Sequence, residues 1–356
     1  MFIQIISLIL LSLSLIFFQS KYFIIIDRPL DQKHKLDYNK NIPLSGGIYF
    51  FIALTINILL SNYNEQNLII IIFLFIFLVL GIYSDLKSDF SPKIRLLYQA
   101  VLVLLLIISI DLDINKTNIF FLDYFIKNNI FNLLFTFSCI LVLLNGSNFC
   151  DGINCNVVGY YLIVILTIFL SGLPIQDTFL RIETILIIFS IFYIFNLIGK
   201  YFLGDNGVYV ISIFVSIYVI EFINFNNNIS SLLALNLLWY PAFENLFTII
   251  RRIVTKTKIQ TADRSHLHIL IFEKILKKKI NIKISNSLSG VILNIFMFIG
   301  MFVSINFYDQ NKILALILTI NILIYIILYY LLKKDNLDLD KKTINKTDNK
   351  IDIKNK

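Results

Sequence analysis

Eleven apolar stretches recur along the chain, and they constrain its fold more than any other feature of the sequence. Most are near the roughly 17 to 25 residues that cross a bilayer as a helix, and some are shorter. Backbone polar groups inside a membrane must be satisfied internally, so single spanning segments of this length form α-helices. The stretches lie at residues 2–20, 43–60, 68–84, 94–110, 130–146, 156–173, 184–199, 207–223, 230–250, 287–306 and 312–332. Together with a mean hydropathy of +0.80, they predict an all-α, polytopic integral membrane protein with about 11 transmembrane helices.

The 31 Lys and Arg residues are distributed unevenly between the two sets of loops that these helices would leave. Only four of them, Lys116, Lys127, Arg181 and Lys312, fall in one set, and the other 27 fall in the second set and the C-terminal tail. Basic residues are retained on the cytoplasmic side of a membrane. The N-terminus is therefore predicted outside and the C-terminus in the cytoplasm. This one-sided distribution of basic residues accounts for the net charge of +8, so the charge is not an argument for a nucleic-acid partner.

The sequence divides into two parts at residue 332. Residues 1–332 are predicted to form the transmembrane domain, whose cytoplasmic loops carry the chemically active side chains. Residues 333–356 alternate Lys, Asp, Asn and Ile without apolar periodicity, which predicts a disordered, basic cytoplasmic tail. The loops of interest are 21–42, 84–95, 145–156, 200–207 and 251–286.

A polar island interrupts the apolar sequence at residues 144–156, Leu-Asn-Gly-Ser-Asn-Phe-Cys-Asp-Gly-Ile-Asn-Cys-Asn. A carboxylate in the hydrocarbon centre is costly, so Asp151 is expected at a membrane edge or in a wet cavity, facing a metal ion or a phosphate. Asn145 and Asn148 would line the same place. The residue types equally suit a turn between two spans, and this stretch alone leaves both interpretations open.

Two other acids occupy similar positions at the ends of apolar spans. Asp85 ends the third stretch and could act as a base or a metal ligand. Asp205 lies in Phe202-Leu203-Gly204-Asp205-Asn206-Gly207, and Mg²⁺ prefers few carboxylates together with phosphate oxygens and water. A capped helix end and an ordinary glycine turn are the respective alternatives.

The remaining candidates lie in the first and last cytoplasmic loops. Lys33 and His34 could face a pyrophosphate, and Gly46-Gly47 would let the backbone approach a ligand closely. The alternative for this loop is a positive flank of a span. In the last loop, Asp263-Arg264-Ser265-His266-Leu267-His268 is predicted to handle an anion rather than zinc, because i and i+2 side chains share a face only on extended backbone.

All three histidines and the candidate acids fall in loops predicted to be cytoplasmic. Histidines and acids concentrated in the cytoplasmic loops favour an enzyme with a cytoplasmic substrate. A channel is disfavoured, because its polar residues would recur along the spans.

Taken in order, these five stretches resemble the polyprenyl-phosphate N-acetylhexosamine-1-phosphate transferases of glycosyltransferase family 4. That family includes the phospho-MurNAc-pentapeptide translocases and the enzymes that begin O-antigen and teichoic acid chains. The resemblance covers the chain up to about residue 272. It implies transfer of a sugar-1-phosphate from a UDP-N-acetylhexosamine to polyprenyl phosphate, with Mg²⁺ or alternatively Mn²⁺, at the cytoplasmic face of a bacterial inner membrane. A homodimer is a further expectation.

The resemblance also implies roles for individual residues. Asp85 would be the base towards the lipid phosphate, Asn148 and Asp151 the nucleotide and catalytic motif, and Asp205 the magnesium ligand, assisted by Asp151. Substrate-binding roles are implied for Lys33, His34, Asn145, Asn148, Phe202 against the uracil ring, Arg264, His266 and His268.

Four positions depart from the family pattern. Ser84 stands where the first acid of an Asp-Asp pair is usual, and Asn154 replaces the second acid of the Asp151 motif. Glu244 replaces an Asp, and Ile269 a third histidine. The first two departures motivate the alternative that the chain is a catalytically inactive relative that binds or scaffolds lipid-linked sugars.

Overall fold

The computed structural model describes residues 2–22, 26–27, 42–61, 64–87, 90–175, 180–256 and 265–354. Its helices are α1 Phe2–Tyr22, α2 Gly46–Ser61, α3 Glu65–Leu86, α4 Pro92–Ile110, α5 Phe120–Phe125, α6 Asn129–Cys150, α7 Asn156–Leu170, α8 Ile182–Leu197, α9 Gly204–Phe225, α10 Leu232–Val254, α11 Leu267–Leu276, α12 Ile282–Ile305 and α13 Asn311–Lys354. Two short antiparallel strands, β1 Ile26–Asp27 and β2 Ile42–Pro43, pair between α1 and α2. The predicted all-α class is therefore confirmed, with this small pairing as an addition.

Each of the eleven apolar stretches falls on one of these helices. Among the described residues, 7 helices are long and apolar enough to cross a membrane by length and composition: α3, α4, α6, α9, α10, α12 and the Asn311–Asp335 part of α13. Shorter apolar helices lie in α1, α2, α7 and α8. A polytopic membrane protein is confirmed, whereas the count of 11 spans and their orientation stay predictions.

Helix α9 occupies the centre of the bundle. It packs against α2, α3, α6 and α7. Inside the protein, 78% of its most apolar window is buried, compared with 22% in α13. Because α9 begins at Gly204, its first turn lies where the ends of α2, α3 and α6 come together. Any ligand bound there would contact several helices at once.

Glycines allow the close helix contacts around this point. A Cβ on Gly146 of α6 would lie 1.9 Å from the carbonyl oxygen of Pro241 in α10. A Cβ on Gly47 would lie 2.4 Å from the carbonyl oxygen of Asn206, and the Gly47 N–H donates to Asn206 Oδ1 at 2.7 Å. The Gly46-Gly47 pair therefore serves helix packing at the start of α9, and the close approach of a ligand to it stays a prediction.

The last helix runs past the boundary drawn from the sequence. Helix α13 continues to Lys354, so its backbone is helical where the sequence predicts a disordered tail. Extension of a helix already nucleated in the apolar segment avoids the cost of a new nucleus. Beyond residue 332, Asp335 forms an exposed 2.9 Å ion pair with Lys274 of α11. The boundary at residue 332 stays a prediction.

Candidate active site

Asp85 lies in the last turn of α3 and caps the N-terminus of α9. Its Oδ1 accepts a hydrogen bond from the backbone N–H of Asp205 at 3.0 Å. Its Oδ2 accepts from the backbone N–H and the side-chain Nδ2 of Asn206, at 3.1 and 2.5 Å. The first N–H groups of a helix lack partners within it and sit at the positive end of its dipole, so a carboxylate is stabilised there. Asp85 thus fastens the end of α3 to the start of α9, a role that its predicted use as a base did not include.

Asp205, in the first turn of α9, gathers polar partners from three other helices. Its Oδ2 accepts from Ser84 Oγ of α3 at 2.5 Å and from Arg95 Nη1 of α4 at 3.1 Å. Asn148 of α6, with its amide oriented so that both atoms are satisfied, donates to Asp205 Oδ1 at 3.0 Å and accepts from Arg95 Nη2 at 3.2 Å. The side chains of Arg95 and Asp205 are 23% and 15% exposed. A largely shielded charge pair therefore forms the centre of the cluster.

No local motif marks Arg95, which from the sequence is only one of the basic residues predicted to be cytoplasmic. The signal that could have found it is its position, one turn into an apolar helix that begins at Pro92. A charge inside a spanning segment is costly unless it is paired, so such an arginine implies an acid nearby.

Ser84 keeps a contact with Asp205 although it departs from the family pattern. Its hydroxyl is a neutral donor to the Asp205 carboxylate, where an acid would add a second negative charge. Among the described residues, Arg95 is the cation that forms an ion pair with Asp205. The replacement therefore changes the local charge without removing Asp205 from its place.

Asp151 and Phe202 line one small cavity near the start of α9. The cavity has a volume of about 10 Å³ and is also lined by Gly152, Ile153, Asn154, Asn196, Leu203 and Asn286. That is about the space one water molecule needs. Asp151 follows Asn148 by one helical turn, which brings the 145–156 motif to Asp205 through Asn148.

The Phe202 ring is buried in this structure. It is 4% exposed and packs with Ile42 and Leu44. Its backbone N–H donates to Pro43 O at 2.9 Å, and residue 202 forms a parallel bridge with Leu44. These bonds tie the residues just after the first predicted loop to the fourth predicted loop. Stacking of Phe202 on a uracil ring stays a prediction.

His266 lies against the 145–156 motif and is held by a buried glutamate. Its Nδ1 is 2.8 Å from Glu244 Oε1, and the ring stacks on Phe149 with centroids 5.7 Å apart. The backbone of His266 is extended, just before α11, and its ring stacks on that of His268 at 5.5 Å. The two rings therefore lie side by side, although His268 is already in the first turn of α11.

His268 is almost fully buried at the same place. A Cβ on Gly152 would lie 2.5 Å from its Nε2, so the glycine after Asp151 makes room for this ring. Burial, and then the nearby His266, lower the pKa of His268 well below 6.5, which keeps the ring neutral near pH 7.

Two asparagines of the motif make structural contacts. Asn145 Nδ2 donates to Leu141 O in its own helix at 2.9 Å. Asn154, which replaces a family acid, is 3% exposed, and its Nδ2 donates to Ser287 Oγ of α12 at 3.2 Å. Ser287 Oγ itself donates to Leu197 O at 2.7 Å, so it can only accept from residue 154. An aspartate could not supply this donor, which explains the amide in this chain.

Lys33, His34 and Arg264 lie outside the described residues, so their predicted roles are not addressed by the structure. In the part of the chain that is described, no three His, Cys, Asp or Glu side chains are grouped to hold a metal ion. The Ser84 hydroxyl and the Asp205 carboxylate do lie together, 2.5 Å apart, and Mg²⁺ is commonly held by one or two carboxylates with waters and substrate phosphates. The cluster therefore fits a magnesium ion shared with a phosphate-bearing substrate, provided that Arg95 releases Asp205.

Comparison with known proteins agrees with the resemblance drawn from the motifs. The family model described as glycosyl transferase family 4 matches residues 67–223, which include Asp85, Asn148, Asp151 and Asp205. A protein of Bacillus subtilis (strain 168), described as a probable undecaprenyl-phosphate N-acetylglucosaminyl 1-phosphate transferase, is 29% identical over 254 residues, 68% of each chain. Over residues 67–223 the chain is therefore similar to glycosyl transferase family 4.

Proposed function

We propose that this protein is a polyprenyl-phosphate N-acetylhexosamine-1-phosphate transferase. It would transfer the sugar-1-phosphate of a UDP-N-acetylhexosamine to polyprenyl phosphate, giving a polyprenyl-diphosphate sugar and UMP. The observation that carries the proposal is the cluster at the start of α9, where residues from α3, α4 and α6 surround the Asp205 carboxylate. We place this reaction at the cytoplasmic face of a bacterial inner membrane, as the first membrane step of a cell-surface polysaccharide.

Charge neutralisation is the main requirement of the reaction, because a phosphate attacks a diphosphate. Mg²⁺, held by Asp205 with Asp151 and by substrate phosphate oxygens, would supply positive charge when bound. Once released from Asp205, the Arg95 guanidinium would face the diphosphate as a second cation. Asn148, which contacts both residues, would keep them in place during that exchange.

The role of Asp85 follows from its three hydrogen bonds to the start of α9. It holds the turn that carries Asp205 and thereby positions the metal ligand. A base role towards the lipid phosphate would require one of these bonds to open. The demand for a base is small near pH 7, because the second pKa of a phosphate monoester is about 6 and the acceptor is already largely ionised.

A second feature supports a lipid acceptor. A cavity of about 350 Å³ lies between α6, α9 and α10, and its exposed lining is almost entirely apolar. Two of its lining residues, Val142 and Ala242, are three positions from Asn145 and two from Glu244 along the chain, and Lys116, on the segment before α5, also lines it. We propose that it accepts part of the polyprenyl chain. Ala234→Phe fills the cavity and should then raise the KM for undecaprenyl phosphate by about tenfold. The KM for a short-chain acceptor should stay unchanged. An equal rise in both KM values would contradict this assignment.

The test of the proposed function is turnover by the purified protein. UMP release and lipid product would be measured with undecaprenyl phosphate, Mg²⁺ and a panel of UDP-N-acetylhexosamines. We expect at least one donor to turn over, and we expect Asp205→Asn to reduce the rate at least about 100-fold. Asp309→Asn, an exposed acid between α12 and α13, is the matched control and should retain full activity. A correctly folded wild type that turns over no donor would favour the inactive, lipid-sugar-binding relative instead.

A further inference from the structure

Glu244 is a carboxylate in the interior of the protein, outside the cluster around Asp205. It lies in α10, and its exposed fraction is 0%. A buried carboxylate is unfavourable unless charged or hydrogen-bonding partners surround it. Glu244 has two such partners: His266 Nδ1 at 2.8 Å from Oε1, and the Tyr325 hydroxyl of α13, which donates to Oε2 at 2.5 Å.

These contacts fix the state of the His266 ring. An ionised carboxylate only accepts, so His266 Nδ1 must carry the proton that points to Glu244. The other ring nitrogen, Nε2, is then the one that can meet a substrate. Stacking between Phe149 and His268, at centroid distances of 5.7 and 5.5 Å, restricts rotation of the ring. Phe149 contacts His266, Gly152 contacts His268, and both residues are close to Asp151 in the sequence. The His266 ring therefore lies beside the Asp151 motif.

The surroundings also determine where positive charge can reside. The pKa of the stacked partner His268 is lowered by burial and by His266, so His268 stays neutral. In the part of the chain that the structure describes, the titratable and charged groups on the elements around His266 are Glu244, Tyr240 and Arg251 on α10, Cys150 and Asp151 at the end of α6, His268 on α11, and Tyr325 and Tyr329 on α13.

We propose that Glu244, supported by Tyr325, is a positioning residue that fixes the Nδ1–H form of His266 and presents Nε2 to the donor diphosphate beside Asp151. The inference rests on the proposed function for the identity of the substrate. It adds a buried carboxylate, a histidine and a tyrosine from α10, α11 and α13 to a site otherwise built from α3, α4, α6 and α9. The arrangement resembles other histidines whose second nitrogen is oriented by a carboxylate.

The first measurement does not depend on activity. The chain has only three histidines, so ¹⁵N-histidine NMR of the full-length protein in detergent can be assigned with His34→Gln and His268→Gln variants. We expect the wild-type His266 to carry a proton on Nδ1, and we expect Glu244→Gln to change its ¹⁵N shifts. A wild-type His266 in the Nε2–H form, or shifts that do not respond to Glu244→Gln, would overturn the proposal.

The second measurement is the pH dependence of turnover. Glu244→Gln should lower kcat by about 10- to 100-fold with little change in KM, and it should shift the acidic-to-neutral limb of the pH profile. Glu244→Asp, which keeps the charge, should restore the wild-type profile more closely, and Tyr325→Phe should have a smaller effect in the same direction. Glu183→Gln and Tyr330→Phe, both exposed, serve as controls.

The two proposals fail in different ways. An inactive wild type whose His266 is in the Nδ1–H form would refute the proposed function, and with it the catalytic use of the histidine. An active Glu244→Gln variant with the wild-type kcat and pH profile would refute the positioning role alone. Tyr325→Phe removes one oxygen atom, so it provides the same comparison if Glu244→Gln fails to fold.

Discussion

The ion pair between Arg95 and Asp205 gives the sharpest prediction about stability. Removing the cation with Arg95→Met leaves the Asp205 carboxylate with Ser84 and Asn148 as donors but without a positive partner. The side chains are 23% and 15% exposed, which places the pair between an exposed pair, worth about 0–1 kcal/mol, and a fully buried one, whose disruption costs about 3–5 kcal/mol. We therefore expect Arg95→Met to lower the free energy of unfolding by about 2 kcal/mol.

A double-mutant cycle isolates the interaction. Arg95→Met, Asp205→Asn and the double variant would be unfolded at equilibrium in detergent micelles at constant ionic strength. Each single change strands one charge, whereas the double change removes both, so we expect a coupling energy of about 1–3 kcal/mol. Residues that share a contact normally show such non-additivity.

The exposed pair Lys274–Asp335 is the matched control cycle. Its side chains are 50% and 51% exposed, and its N–O distance of 2.9 Å is similar to the 3.1 Å of Arg95–Asp205. Solvent screening should reduce its coupling energy to about 0.5 kcal/mol or less. Equal coupling in the two cycles, or additive effects at Arg95 and Asp205, would refute the argument that a shielded charge pair holds the site together.

Three further predictions concern packing, polarity and pH. Gly146→Ala should lower the free energy of unfolding by about 1–3 kcal/mol, because its Cβ would lie 1.9 Å from Pro241 O; an unchanged denaturation midpoint would contradict this contact. Asn154→Asp should destabilise by about 1–3 kcal/mol despite restoring a family acid, since Ser287 Oγ can only accept, and a higher melting temperature would argue against that geometry. The pKa of His268 is lower in the folded protein than its usual 6.5, so the unfolded state binds the extra proton. The free energy of unfolding should therefore fall as the pH drops below about 6.5. His268→Phe should flatten this pH dependence, and an unchanged slope would assign it to other groups.

Much of the fold was accessible from hydropathy alone. A spanning helix satisfies its own backbone, so an apolar run of sufficient length specifies both the element and its approximate ends. The end of α6 was harder to place, because Asn145 to Asn148 look like turn residues. They are helical in the structure, and Gly146 allows a close contact with Pro241 rather than a turn.

The sequence singles out the acids of the candidate site but not the hydrogen bonds and ion pairs that join them. Asp85 and Asp205 stood out as carboxylates at span ends, yet the hydrogen bonds between them depend on how α3 meets α9, which one sequence does not reveal. Arg95 and Tyr325 were missed because each lies within an apolar helix and matches no local motif. Their roles arise from partners more than 70 positions away, at Asp205 and Glu244.

The most direct test of the central claim is the position of a bound metal ion. An experimental structure with UDP and Mn²⁺, in which the anomalous signal of manganese marks the ion, would locate the site independently of turnover. The account predicts one manganese beside Asp205 and Asp151, with the diphosphate between them and Arg95. A manganese and nucleotide bound elsewhere, with Arg95 still paired to Asp205, would contradict it.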